Sequence, residues 1–219
     1  MRDLEILRGL PASWAQRCYE IKGQRIKFFG QHPRQHRPWL ADILNDTHPR
    51  KVLMKPRQVG ASELGIVEEV WLCCTQGGTK VVHTFPRSTQ IAEFSPARFD
   101  VAVDQSPLLK GMRGDPWNQH VKCFRREHYL PSFLNFRSSW DSALGEGIDA
   151  DMVVFDEYDR MKPGVEDAFR ESISSSPIGW VRWYSTPTVP GVGVAAVYDR
   201  SDQRRYFLMC PSCNERQAL

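Results

Sequence analysis

The chain has 219 residues, 29 of them Lys or Arg against 26 Asp or Glu, for a formal net charge of +3 with histidine neutral. That length suffices for one sizeable core, and so small a charge excess does not by itself announce a nucleic-acid binder. With no run of about 18 apolar residues, no charged-then-apolar leader and only six cysteines, a helical membrane span, a secretory signal and a disulfide scaffold are excluded, and the chain reads as soluble and cytoplasmic with Cys18, Cys73, Cys74 and Cys123 as core thiols.

The first fifty residues read as one or two helices, at 13–21 and 38–44, forming an entry segment outside the sheet. A short apolar β-rich run at 52–54 follows, then a loop, then a helix at 62–74. Further strands are expected at 80–84, 121–124, 133–136, 152–155, 181–185 and 206–209. Helices are expected at 89–103, interrupted near Pro96, and at 165–174. This alternation predicts an α/β layer fold with a central, mainly parallel sheet flanked by helices.

Between the run at 52–54 and the helix after it lies Met54-Lys55-Pro56-Arg57-Gln58-Val59-Gly60-Ala61-Ser62. It has the length and ending of a phosphate-binding loop, in which backbone N–H groups wrap phosphates, a lysine reaches the outer ones and a hydroxyl holds magnesium. Gly60 and Ser62 are in place, but Ala61 fills the usual lysine position and Lys55 stands where the first glycine is normally written. The strand–loop–helix context suits an anion, because a helix N-terminus presents unpaired N–H groups and partial positive charge. An ordinary βα turn with Gly60 at the bend explains the same residues. Pro56 removes one donor from the cradle, which implies modest nucleotide affinity.

Well downstream, Met152-Val153-Val154-Phe155-Asp156-Glu157 places two acids at the end of an apolar run. A buried strand ending in Asp156 would hold magnesium at the carboxyl edge of the sheet, and Glu157 would polarise an attacking water. Each motif alone is weak. In this order and spacing they support each other.

Other segments match in order as well. They are Arg37-Pro38-Trp39-Leu40-Ala41-Asp42-Ile43-Leu44, then Phe85-Pro86-Arg87 with Ala92-Glu93-Phe94-Ser95 and Arg98, and Phe155-Asp156-Glu157-Tyr158-Asp159. Trp183-Tyr184-Ser185-Thr186-Pro187-Thr188 and Tyr198-Asp199-Arg200-Ser201-Asp202-Gln203-Arg204-Arg205-Tyr206, leading into Cys210-Pro211-Ser212-Cys213, complete the set. From about Arg37 to its end the chain resembles the large terminase subunits of tailed phages, specifically the lambda gpA-like ATPase group.

The resemblance implies a P-loop NTPase fold of the RecA/ASCE type, with ATP and Mg2+ as cofactors. It implies a helical segment carrying the adenine-binding region at 1–50, an ATPase core at 51–205, and at 206–219 the start of a truncated zinc-ribbon-like linker, with the nuclease domain of relatives absent. Some terminases carry the phosphate lysine at the start of the loop, which assigns that role to Lys55; Arg57 is the rival, its guanidinium able to fork onto phosphate oxygens and stabilise transition-state charge. Gln58, Val59, Gly60, Ala61 and Ser62 complete the ATP-binding loop, with Ser62 and Asp156 on Mg2+ and Glu157 catalytic. Trp39 offers a face to adenine and Gln35 or Gln31 an amide to its edge, although Trp39 also reads as an apolar helix anchor with Ile43. Ser185 and Thr186 are the coupling motif that senses the γ-phosphate or relays to Glu157. Cys210 and Cys213 are half of a Zn2+ site that the remaining residues do not close.

The implied activity is ATP hydrolysis that moves double-stranded DNA into a procapsid. The implied partners are DNA, a small terminase subunit, a portal protein and further copies of the chain in a homo-oligomeric ring, with no membrane. The place of action is the host cytoplasm, transiently on the procapsid portal. Basic pieces at 25–27, 122–126 and 204–205 are candidates for DNA phosphates or ordinary solvated clusters, and the acidic stretch 144–149 departs from the basic loop of relatives. A helicase-like DNA-dependent ATPase shares the loop, the acids and the Ser-Thr motif but needs a second RecA-like lobe. A non-hydrolysing DNA-binding or assembly module with a degenerate loop would also explain Ala61.

Overall fold

The structure is a computed structural model that describes residues 9–30, 36–57, 59–140, 145 and 147–218. Helix α1 (Pro11–Cys18) leads into a small antiparallel pair, β1 (Glu20–Ile21) with β2 (Gln24–Arg25), and then helix α2 (Pro38–Asn45). Proline opens both helices, where its missing N–H goes unneeded. The first helix was expected to reach residue 21; it stops at Cys18 because the backbone turns extended at Tyr19 to form the β pair.

The main sheet has seven strands: β3 (Arg50–Met54), β4 (Lys80–Phe85), β5 (Arg113–Trp117), β6 (Val121–Phe124), β7 (Ser132–Ser138), β8 (Met152–Asp156) and β9 (Trp180–Ser185). Their spatial order is β3-β9-β8-β4-β7-β6-β5, the first five mutually parallel and β6 antiparallel to both of its neighbours, β7 and β5. β3 is therefore an edge strand, and β9 lies between it and β8. β8 is buried along its whole length between two parallel neighbours, the environment in which strands read as unbroken apolar runs. β5 was not foreseen, since Arg113-Gly114-Asp115-Pro116-Trp117 has the composition of a turn and is tolerated only at a sheet edge.

Helix α3 (Ala61–Thr75) buries residues on nearly every side, from Leu64 and Ile66 to Cys73 and Cys74, as expected of a helix apolar almost all round. The helix expected at 89–103 is α4 (Ser88–Phe94), a π-helical turn (Ser95–Asp100) and α5 (Val101–Gln105) in succession. Pro96 lacks the N–H that an α turn uses and its ring crowds the preceding carbonyl, so the chain widens there without breaking. Helix α6 (Pro107–Gly111) follows. Helix α7 (Val165–Glu171) ends before the expected 174, where Ser172 Oγ bonds back to the Phe169 carbonyl at 2.6 Å. Helix α8 (Val194–Asp199) and the hairpin of β10 (Phe207–Met209) with β11 (Arg216–Ala218) close the chain. Among the described residues no helix is long and apolar enough to cross a membrane.

Alternate residues of the strands feed two cores. Val81, Phe85, Leu134, Phe136, Met152, Val154 and Tyr184 join α1, α2 and α3 on one face, while Val82, Val153, Phe155, Val181 and Trp183 join Val165 and Phe169 of α7 on the other.

Polar groups are buried within the first core. Glu68 of α3 accepts Lys51 Nζ at 2.9 Å, Arg182 Nε and Nη2 at 3.0 and 2.9 Å, and the Tyr184 hydroxyl at 3.1 Å. Beside it, Glu69 Oε1 lies 2.6 Å from His83 Nδ1, both side chains essentially inaccessible. Burial works against the His83 imidazolium, but the charge and hydrogen bond of Glu69 outweigh it and His83 titrates above its usual 6.5. A raised folded-state pKa contributes stability that is full below pH 6.5 and is lost as pH rises through the higher value. Urea unfolding measured from below pH 6.5 upward is therefore expected to give declining stability, and His83→Gln to flatten that slope; an unchanged slope in the variant would assign the decline to other groups.

Candidate active site

The strand register brings the chemistry to one edge. Met54 pairs with Ser185 and Tyr184 with Asp156, so β3, β9 and β8 end side by side at their carboxyl ends, the edge where open α/β sheets bind ligands. The Lys55 N–H donates to the Ser185 carbonyl at 2.9 Å, joining the loop after β3 directly to the end of β9. The loop ends at Gly60, whose φ of +85° is left-handed. A Cβ there would meet Arg37 Nη1 at 2.8 Å, so glycine both permits the turn and lets a guanidinium from the start of α2 lie against it.

Lys55 crosses the mouth of this loop. Its Nζ is 3.3 Å from Ser62 Oγ and 3.6 Å from Asp156 Oδ1, with 14% of the lysine and 7% of the aspartate side chain exposed. The ammonium thus reaches the site from the loop entrance. Ala61, at the more usual lysine position, is buried and packs at the start of α3. Arg57 is exposed and has no hydrogen-bond or ion-pair partner among the described residues. Val59 is half-buried. Gln58 and Gln35 lie outside the described residues, as do Gln31, Leu144 and Glu146.

Immediately after Asp156 the backbone adopts φ +54° at Glu157, uncommon for a residue with a side chain. The Glu157 N–H donates to Asp156 Oδ1 at 3.0 Å. Glu157 Oε2 accepts from Gln90 Nε2 and from Arg160 Nη1, each at 3.1 Å. The Glu157 carboxylate is thereby held at the surface beside the buried aspartate.

Ser185 meets Asp159, not Glu157: its Oγ accepts the Asp159 N–H at 3.1 Å and donates to the Thr186 carbonyl at 3.3 Å. Asp159 in turn accepts the Thr188 N–H and hydroxyl at 2.8 and 2.9 Å and the Val194 N–H at 2.7 Å. Gly193 is required there, since a Cβ would lie 2.6 Å from Asp159 Oδ1. Asp159 and Gln90 are the residues that sequence reasoning missed; Asp159 sat unassigned in the acidic motif, and nothing local marks Gln90 as a partner of a residue so distant in the chain.

A cavity of about 1090 Å³ opens from the loop along the free edge of β3, lined by Trp39, Lys55, Pro56, Val59, Ala61 and Tyr206 among others. Trp39 packs against the core alongside Ile43, as the helix-anchor reading expects, and also lines this cavity.

Cys210 and Cys213 sit in the β10–β11 turn, where the N–H groups of Cys213 and Ser212 lower the Cys210 thiol pKa. Among the described residues no group of three or more His, Cys, Asp or Glu side chains is placed to hold a metal ion. Of the basic pieces, Lys122 is withdrawn from any surface role. It is fully buried, 2.6 Å from Asp100 and over the Trp117 ring, because the antiparallel strands turn it inward. Arg126 stacks on Tyr129, Arg204 pairs with Asp46 and Asp202, Arg25 lies 3.9 Å from Glu20 and Arg125 donates to the Asp115 carbonyl, while Lys27 and Arg205 are exposed.

Comparison with known proteins gives a family and a fold. The family model for the ATPase domain of the phage terminase large subunit gpA matches residues 28–219. Among curated proteins nothing matches. Among solved structures, the large terminase ATPase domain of Thermus phage P74-26 aligns with a TM-score of 0.57 at 21% identity, over 68% of this chain and 64% of that one. The large terminase of bacteriophage HK97 aligns with a TM-score of 0.67 at 14% identity, over 86% of this chain and 40% of that one. The chain thus spans less than two thirds of either relative. The likeness is one of fold, an α/β architecture with a mostly parallel central sheet flanked by helices.

Proposed function

The chain belongs to the ATPase-domain family of the phage terminase large subunit gpA, and from that premise we propose that it binds and hydrolyses ATP to drive double-stranded DNA into a procapsid. The observation that carries this reading is that Ser62 Oγ and Asp156 Oδ1, from two different elements, both lie within 3.6 Å of Lys55 Nζ. A hydroxyl and a carboxylate are hard oxygen ligands of the kind Mg2+ takes, and both already lie against a cation. Mg2+ held there would supply positive charge against the negative charge developing on the phosphates.

Ser62 and Asp156 hold the metal in this reading. Lys55 leaves them for the outer phosphates, a move its flexible stem allows. Backbone N–H groups from Gln58 to Ser62, at the N-terminus of α3, wrap the phosphate chain, Arg57 stabilises charge on the transferred group, and Glu157 orients the attacking water. Trp39 and Gln35 serve the adenine. Loss of the γ-phosphate changes what Lys55 contacts. Its backbone bond to Ser185, and the Ser185–Asp159–Thr188 links, offer a route from Ser185 and Thr186 to the 188–194 segment.

DNA is gripped through phosphates, since a packaging motor accepts any sequence. The active form is a ring of copies on the portal in the host cytoplasm, working with a small subunit. Residues 1–50 carry the adenine-binding region, 51–205 the ATPase core, and 206–219 begin a linker in which Cys210 and Cys213 supply half of a Zn2+ site.

Calorimetric titration of the chain with Mg-ATP tests the reading. Saturable binding is expected, weakened by Lys55→Ala roughly 10- to 150-fold, the worth of one hydrogen bond to a charged group. Arg57→Ala is expected to spare affinity and lower turnover. Unchanged affinity in Lys55→Ala would remove that residue from the phosphates.

A further inference from the structure

The cavity beside the loop has an aromatic corner that neither the loop nor the acidic motif uses. Trp39, from the second residue of α2, and Tyr206, from the segment after α8, meet with ring centroids 5.5 Å apart and planes tilted by 53°. Both line the same space as Lys55, Pro56, Val59 and Ala61. The Trp39 Nε1–H is buried and has no acceptor among the described residues, so its ring is not held there by a hydrogen bond.

What holds Tyr206 against Trp39 is a staple across the cavity. Arg204 Nη1 lies 3.0 Å from Asp46 Oδ2, just past the end of α2, and Arg204 Nε bonds Asp202 Oδ2. The Tyr198 hydroxyl donates to the Arg204 carbonyl at 3.2 Å, tying the same segment back to α8. The segment 200–206 therefore lines the same cavity as β3 and the phosphate loop, with Tyr206 its only aromatic residue.

A polyphosphate anchored on that loop must place the rest of its nucleotide in the adjoining space. This cavity adjoins the loop, and the paired rings of Trp39 and Tyr206 offer flat apolar surfaces within it. A base has a π-face of its own and stacks on aromatic side chains without any hydrogen-bond code.

We infer that Tyr206, with Trp39, forms the seat for the nucleotide base, so that the segment leading into the Cys210–Cys213 hairpin is part of the ATP site. The inference rests on the ATPase reading above and adds to it a residue from the other end of the chain. It also makes base occupancy felt at β10, the next element, whose first residue is Phe207.

Calorimetry on the chain with three ligands, ATP, ADP and inorganic tripolyphosphate, tests it. Tyr206→Ala is expected to raise Kd for ATP and for ADP alike by about tenfold, inside the roughly 5- to 150-fold span of one base–aromatic stack. Tyr206→Phe keeps the ring and is expected to match the unaltered chain. Tripolyphosphate has no base and is expected to bind all three proteins equally, which also reports that the variants are folded. Unchanged ATP and ADP affinity in Tyr206→Ala overturns the inference. So does an equal loss for tripolyphosphate, which would mark general damage to the site. Failure of the unaltered chain to bind ATP at all would instead overturn the ATPase reading, and this inference with it.

Discussion

Glu157→Gln is expected to slow ATP turnover by about 10²- to 10⁴-fold, the usual worth of a positioned general base, while Mg-ATP still binds. The substitution keeps the size of the side chain and an oxygen that accepts from Gln90 Nε2 and Arg160 Nη1, its two partners at 3.1 Å. It removes only the negative charge and the ability to take a proton. The left-handed backbone at φ +54° is retained, so the turn after β8 stays in place. Phosphate release in the presence of DNA and portal, paired with calorimetric binding of Mg-ATP, separates the two quantities. Turnover equal to that of the unaltered protein would falsify the role given to Glu157. Loss of binding together with turnover would point instead to damage at Asp156, whose Oδ1 accepts the Glu157 N–H.

The largest effect on stability is expected at Glu68, buried within α3. Burial alone would push its carboxyl pKa up, but Arg182 and Lys51 hold it below the usual carboxylate range. All three side chains are at most 8% exposed. Glu68→Gln leaves two buried cations without their shared anion, a change that costs about 3–5 kcal/mol when one partner of a buried pair is removed. For a chain of this size that is roughly 6–20 °C of melting temperature. Glu68→Met combined with Arg182→Met is expected to lose less than the sum of the single changes, because removing both ends leaves fewer unpaired charges. Additive losses in thermal melts of the four proteins would show that the pair is not coupled. Its placement ties α3, which begins at the phosphate loop, to β3 and β9, so a loosened Glu68 also loosens the site.

Much of the fold was legible because parallel strands buried on both faces leave a plain trace. The apolar run that ends in Asp156 is β8, found one residue longer than read, and the strand at 121–124 matches without adjustment. Elements whose residues carry turn composition were not legible. β5 contains Gly114 and Pro116 and is a strand only because β6 offers it an edge. Pro96 was read correctly as an interruption, yet whether it would break the helix or widen it depended on the packing of Phe94 and Phe99 in the core on either side.

For the candidate site, local chemistry singled out Ser62, Asp156 and Glu157, since each lies at the end of a strand or the start of a helix, whereas Lys55 was chosen through the family resemblance. The sequence by itself also determined that these ends share one edge of the sheet, because an alternation of strand and helix yields parallel strands whose carboxyl ends point the same way. Only the tertiary structure decided which groups meet across that edge. It set Lys55 between Ser62 and Asp156, gave Glu157 to Gln90 and Arg160, joined Ser185 to Asp159, turned Lys122 inward, and folded Tyr206 back onto Trp39. Those contacts join residues far apart in the chain, and a hydrogen bond or a ring contact depends on positions to within an ångström, which no local pattern of residues encodes.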